Sequence, residues 1–200
     1  MKHLLSVPQS AGPHALLCFL HGYDEAAPLA LAAALTRHGP LREGNPALVK
    51  ERFIVLAPQL PLAGDIWHRY ADDVQALAAA TIERLGGDRH RAYLTGFSYG
   101  ANGVFDLALL QPGLWAALWA VDPTRVPKRA IAQPIWLSVG EVARWQKKAF
   151  IEALALQDAS RHRHGRRLCA DHGDDHVGAA RRGYADRQIY EWLLRFRARA

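Results

Sequence analysis

Long apolar runs are missing from this chain: nowhere are eighteen consecutive residues apolar, which excludes a membrane-spanning helix. Cysteine is scarce. The two present, Cys18 and Cys169, each sit in an apolar, strand-like run and are expected as buried reduced thiols, not as a disulfide framework. The N-terminal stretch MKHLLSVPQSAGPH carries one lysine and a two-residue apolar run before Ser6, too little for a secretory h-region, so the expected location is the cytoplasm. Zinc-finger Cys/His spacing and aromatic RNA-binding patterns are also lacking. The formal charge of +6 therefore does not imply nucleic acid. Its excess gathers in RHRHGRR, ARR and RFRARA and reads as a solvated arginine-rich face and a cation-favouring helix C-terminus.

What is present is the balance of an ordinary globular domain, 50% apolar and 22% charged. With 200 residues and neither repeat nor linker, one domain spanning 1–200 is expected. Short β-branched or aromatic runs, at 15–20, 53–57, 91–95, 115–121, 134–139 and 166–170, alternate with Ala/Leu-rich amphipathic segments at 29–38, 70–85, 99–110, 145–158 and 185–197. That alternation predicts an α/β fold, a mostly parallel sheet with helices on both faces and chemistry at the carboxyl ends of the strands.

One of those ends carries Gly96-Phe97-Ser98-Tyr99-Gly100 between the apolar YLT and the helical ANGVFDLALL. A serine forced into a tight strand-to-helix turn needs neighbours without a Cβ, and the turn lifts its hydroxyl above the sheet. Ser98 is thus the candidate nucleophile, and the Tyr99 N–H, at a helix N-terminus, a candidate oxyanion donor. The strand 15–20 ends in His21-Gly22-Tyr23, where Gly22 permits close backbone approach and the Tyr23 N–H is a candidate second donor. His21 reads as a brace for this loop.

The last loop, Asp171-His172-Gly173-Asp174-Asp175-His176, offers two candidate bases, His176 preferred and His172 second. A metal reading of His162, His164, Asp171, His172, Asp175 and His176 lacks any compact ligand motif, and no cofactor or metal is expected. Two strand ends offer an acid. Asp122 precedes Pro123 in a stiff turn, and Glu141 follows the strand at 134–139. Asp122 is preferred, Glu141 is the alternative, and Asp171, Asp174 or Asp175 would serve if neither did.

The segments FLHGYDE, VLAPQLPLAGDIW, DRHRAYLTGFSYGANGVFDLAL and DDHVGAARRGYADRQIYEWLL together resemble the α/β-hydrolase superfamily. The likeness is to its esterase branch, which includes polyhydroxybutyrate-depolymerase-like, feruloyl-esterase-like and phospholipase/carboxylesterase-like proteins. The resemblance covers nearly the whole chain. It implies a Ser–acid–His order and supports His176. It also implies a serine hydrolase that cleaves small ester or thioester substrates through an acyl-enzyme, without nucleic-acid or membrane partners. One departure stands out. The family acid commonly lies three residues past the glycine that ends the penultimate strand, which here is Ala143. That loss motivates an alternative, an inactive hydrolase-fold binding protein, alongside a peptidase on the same fold. The segment between Asp122 and the next strand is too short for a lid, so a compact, lidless domain with an open site is expected. The sequence says nothing of oligomeric state.

Overall fold

The computed structural model describes residues 1–198; Arg199 and Ala200, the end of the basic RFRARA run, lie outside the described residues. Eight strands form one sheet: β1 (His3–Ser6), β2 (Ala15–Leu20), β3 (Phe53–Pro58), β4 (Ala92–Phe97), β5 (Ala117–Val121), β6 (Ile135–Val139), β7 (Gln157–Asp158) and β8 (Arg167–Asp171). Their spatial order is β1-β3-β2-β4-β5-β6-β8-β7. Among the described residues only β1, paired with β3, is antiparallel.

Alternate residues of each central strand face opposite layers, as the two-residue period of a strand requires. On one face Leu16, Cys18, Leu20, Leu94 and Leu137 pack against α3 (Ala71–Leu85), α4 (Tyr99–Leu110) and α6 (Lys147–Leu154). On the other, Leu17, Phe19, Tyr93, Trp119 and Val121 meet α1 (Leu31–Leu35), α2 (Ala47–Arg52), α7 (His176–Ala185) and α8 (Arg187–Leu193). Burial on both faces explains why the strands read as continuous apolar runs rather than alternating ones. One short helix, α5 (Glu141–Arg144), follows β6 directly. Among the described residues no helix is long and apolar enough to cross a membrane, and the segment 123–134 between β5 and β6 contains no helix.

The expected strands and helices all occur, with corrections at their ends: the helix expected over 29–38 is only Leu31–Leu35. The helix expected over 145–158 stops at Leu154, because Ala155 takes a left-handed cap with φ 50° and Gln157–Asp158 then pair with β8. The expected 185–197 helix is shorter, Arg187–Leu193, and a second helix precedes it. Aspartates cap both: the Asp175 side chain accepts from the Gly178 N–H, and that of Asp186 from the Gln188 N–H at 2.9 Å. Strands β1 and β7 and helix α2 had no counterpart in the sequence reading.

The chain reverses its direction of travel across the sheet at β2, which has β3 on one side and β4 on the other. Open α/β sheets bind ligands outside the carboxyl ends of strands at such a switch point. In register Leu20 pairs with Gly96, so the turns leaving β2 and β4 emerge side by side. Their contact is tight: a Cβ on Gly100 would overlap the Leu20 carbonyl, leaving no space for any side chain. Gly100→Ala is therefore expected to lower stability by at least about 2 kcal/mol through overpacking against backbone. A urea midpoint equal to that of the parent protein would contradict this contact.

Candidate active site

Ser98 sits at φ 57°, ψ −117°, a backbone conformation that a non-glycine residue adopts only when its surroundings impose it. They do so here: its N–H donates to the Val121 carbonyl at 2.9 Å, and its own carbonyl accepts from Ala101 and Asn102 in the first turn of α4. The side chain lies at the head of α4 and is 8% exposed. Among the described residues Ser98 Oγ makes no hydrogen bond.

Strand register brings the other groups alongside. Phe97 pairs with Val121, which places Asp122 next to Ser98 on the adjacent strand end. Val121 pairs with Ser138, and Val139 with Asp171, which aligns Gly140 and the start of the histidine loop in the same row. Asp122 is fully buried and holds φ 44°, a left-handed geometry that aspartate tolerates better than most residues. Its Oδ1 accepts from the N–H groups of Gly140 at 2.9 Å and Ala143 at 2.7 Å, and its Oδ2 from Val142 at 3.3 Å. The remaining partner of Oδ2 is His176 Nδ1, at 2.6 Å. Because a carboxylate facing three N–H donors is an acceptor, His176 Nδ1 is the donor, and in the neutral ring Nε2 is the lone-pair acceptor. The His176 ring lies over Phe97 with centroids 4.6 Å apart, one residue from Ser98.

Glu141 is exposed at the start of α5 and, among the described residues, makes no side-chain hydrogen bond. His172 is also exposed. Asp171 is engaged by Arg144 at 3.0 Å and Lys147 at 2.8 Å, which hold its carboxyl well below the usual range. Asp174 binds Arg182, and Asp175 caps α7. The structure thus joins His176 to Asp122, sets Asp122 on the strand end beside Ser98, and leaves the rival candidates outside. The Arg144 guanidinium also donates to the Asp174 carbonyl at 3.0 Å, tying the histidine loop to α5, a link the sequence reading did not contain.

The second loop is set by His21, which is fully buried. Its Nδ1 donates to the Gly22 carbonyl at 2.6 Å, and its Nε2 accepts from the Leu60 N–H at 3.0 Å. These partners fix one neutral tautomer, and burial pushes the ring's pKa down to about 4. The Gly22 carbonyl and the Tyr23 N–H belong to one planar trans peptide, so fixing the first directs the second to the opposite side. Among the described residues neither the Tyr23 nor the Tyr99 N–H donates a hydrogen bond. Their side chains, 51% and 39% exposed, meet edge-to-face at 5.1 Å on the rim.

Sequence reasoning missed Glu25 and His38, which lie behind this loop. Burial raises the Glu25 carboxyl and lowers His38 to about 4, and the two approach to 3.7 Å. The His38 ring packs against Phe97 at 4.9 Å. Glu25 closes the FLHGYDE segment without being singled out there, and no motif flags His38, because the turn that carries it reaches Phe97 only through tertiary packing.

These burials predict a pH dependence. Between about pH 4 and 6.5 the unfolded chain binds protons at His21 and His38 that the folded protein refuses, so stability falls as pH drops through that window. For fully buried His21 the effect is on the order of 3 kcal/mol. The raised Glu25 carboxyl opposes it in the acid range, one group against two. Urea midpoints at pH 5 should lie below those at pH 7, and the gap should narrow in His38→Gln. Equal midpoints at the two pH values would remove the buried neutral histidines from the account.

No family model and no curated protein sequence matches the chain. Solved structures do. A thermostable esterase superposes with a TM-score of 0.72 at 20% identity, over 98% of this chain and 59% of its own. This chain therefore spans about three-fifths of that esterase. The fluorophosphonate-binding serine hydrolase F of Staphylococcus aureus gives a TM-score of 0.69 at 12% identity, covering 96% and 91% of the two chains. An S-formylglutathione hydrolase from Agrobacterium tumefaciens gives 0.66 at 13%, covering 96% and 88%. Their likeness in three dimensions, together with a mostly parallel sheet that bears a strained serine turn at its switch point, identifies this chain's architecture as the α/β-hydrolase fold.

Proposed function

We propose that the protein is a serine esterase that cleaves small carboxylic esters or thioesters, with Ser98 as nucleophile, His176 as general base and acid, and Asp122 as the triad acid. The observation that carries this reading is the 2.6 Å contact between His176 Nδ1 and a fully buried Asp122, beside a serine held at positive φ. The names of the structural relatives agree with it: an esterase, a fluorophosphonate-binding serine hydrolase and an S-formylglutathione hydrolase.

The reaction follows from the geometry. His176 Nε2 takes the Ser98 proton as Oγ attacks the acyl carbon; the Ser–His contact forms in the substrate complex, as it often does only there. Negative charge develops on the former carbonyl oxygen, and the free Tyr23 and Tyr99 N–H groups stabilise it. Asp122 supports the imidazolium without taking its proton. His176 then protonates the leaving alcohol or thiol, and water, activated by the same nitrogen, releases the acid from Ser98. The two buried free cysteines suit a reducing, cytoplasmic setting.

The inactive binding-protein reading drew its motive from Ala143. Asp122 weakens that motive, since it offers His176 a carboxylate and itself accepts from the Ala143 N–H. No observation favours a peptidase over an esterase.

A fluorophosphonate probe should label the wild-type protein stoichiometrically and leave Ser98→Ala unlabelled; an unlabelled wild-type protein contradicts the proposal. Asp122→Asn should lower kcat on a p-nitrophenyl ester by about four orders of magnitude, while Glu141→Gln stays near wild type. The opposite ranking would make Glu141 the acid. His21→Ala should lower kcat by about tenfold or more with little change in KM, because it frees the peptide that carries one oxyanion donor. A pure KM effect would deny His21 that part.

A further inference from the structure

A cleft of about 290 Å³ begins at Tyr99, the residue after the proposed nucleophile, and runs along α4. Its floor is the helix face Tyr99, Asn102, Gly103 and Asp106, a spacing of three, four and seven residues that defines one face. One wall is the 66–68 turn, with His68; the other is Thr124 and Arg125 after β5. The Arg125 wall is built. Asn102, mostly buried, accepts from the Thr124 N–H at 3.1 Å and the Arg125 N–H at 3.2 Å, and donates to Thr124 Oγ1 at 2.7 Å. Arg125 Nη2 spans both Asp106 oxygens at 2.6 Å each.

This arrangement leaves an excess of donors. One guanidinium nitrogen engages Asp106, whereas Nη1 and Nε of Arg125 have no partner among the described residues. The Asn102 oxygen already accepts twice, and both Asp106 oxygens are taken. A cation would find its counter-charge occupied. An anion or a carbonyl would find free N–H donors, Nη1 and Nε on opposite edges of the guanidinium, each able to give one charge-assisted hydrogen bond. Asp106 lies eight residues beyond Ser98, which at the helical rise is roughly 12 Å along the axis. Neither Ser98 nor His176 lines this cleft, which meets the site at Tyr99, the residue of one proposed oxyanion donor; the leaving group must lie against His176 to be protonated, on the side away from this opening. The cleft therefore receives the acyl part.

We propose that the preferred substrates carry an acyl chain with a carboxylate several bonds beyond the ester, bound by Arg125 at the far end of this cleft. The proposal rests on the serine-esterase reading. Arg125 is its specificity-determining residue.

The test compares two p-nitrophenyl esters of equal length, the octanoate and the half-ester of the eight-carbon dicarboxylic acid, on wild-type, Arg125→Gln and Arg125→Lys proteins. The ratio of kcat/KM, half-ester over octanoate, should exceed one in the wild type. It should fall about tenfold in Arg125→Gln, the scale of one charge-assisted hydrogen bond at a part-exposed site. The fall should reside in KM, and Arg125→Lys should recover part of it. Added salt should shrink the wild-type ratio. A wild-type ratio at or below one, or a ratio unchanged in Arg125→Gln, overturns the proposal. Fluorophosphonate labelling runs alongside: a protein that labels but shows no preference loses this inference alone, whereas one that neither labels nor turns over either ester loses the esterase reading beneath it.

Discussion

The arrangement at the carboxyl edge of the sheet depends on one buried carboxylate. Asp122 has no water to solvate its charge, and a buried charge persists only where donors replace that water. Three backbone N–H groups from Gly140, Val142 and Ala143 supply that replacement, and His176 supplies the fourth partner. The same contacts therefore join the ends of β5 and β6, the first turn of α5 and the head of α7. Removing the carboxylate would leave orphaned donors on α5 and an imidazole free to turn. Closeness is part of the design: a Cβ on Gly140 would collide with the Asp122 carboxyl group itself.

Around that centre the fold works by adjacency of strand ends. The order β2-β4-β5-β6-β8 delivers, side by side, the His21 loop, Ser98, Asp122, the α5 turn and the histidine loop. Each element is short because the register has already placed it. The loop after β2 is kept in shape by a neutral histidine that reads a carbonyl on one side and an N–H on the other, with the Trp67 indole donating to the His21 carbonyl at 3.1 Å. The loop before His176 is kept in shape by the Arg144–Asp171 pair. Neither brace relies on a long helix or a second domain.

Much of this was legible in the sequence. The six long strands are apolar on both faces and stand out as runs. The serine turn announces itself because its glycines are demanded by backbone contact, and the histidine because it follows the last run. The acid was only half legible: Ala143 carries no carboxylate, which leaves Asp122 and Glu141 at neighbouring strand ends, and nothing in the sequence alone separates the two. What stayed hidden depends on partners distant in sequence. Strand β1 has only four half-buried residues, and β7 two exposed ones, too few to set a period. Ala155 ends α6 in a left-handed cap without the glycine that usually marks one. Glu25, His38 and Arg144 matter through what packs on them, and nothing local in the chain records that.

The central claim is that Asp122 holds His176 in a single tautomer. Nitrogen-15 NMR of the histidine side chains at neutral pH tests it most directly. The account predicts a His176 ring with a protonated Nδ1 and a lone-pair Nε2 in the wild-type protein, a state lost in Asp122→Asn. A wild-type His176 with its proton on Nε2, or a tautomer indifferent to the change at Asp122, would contradict it.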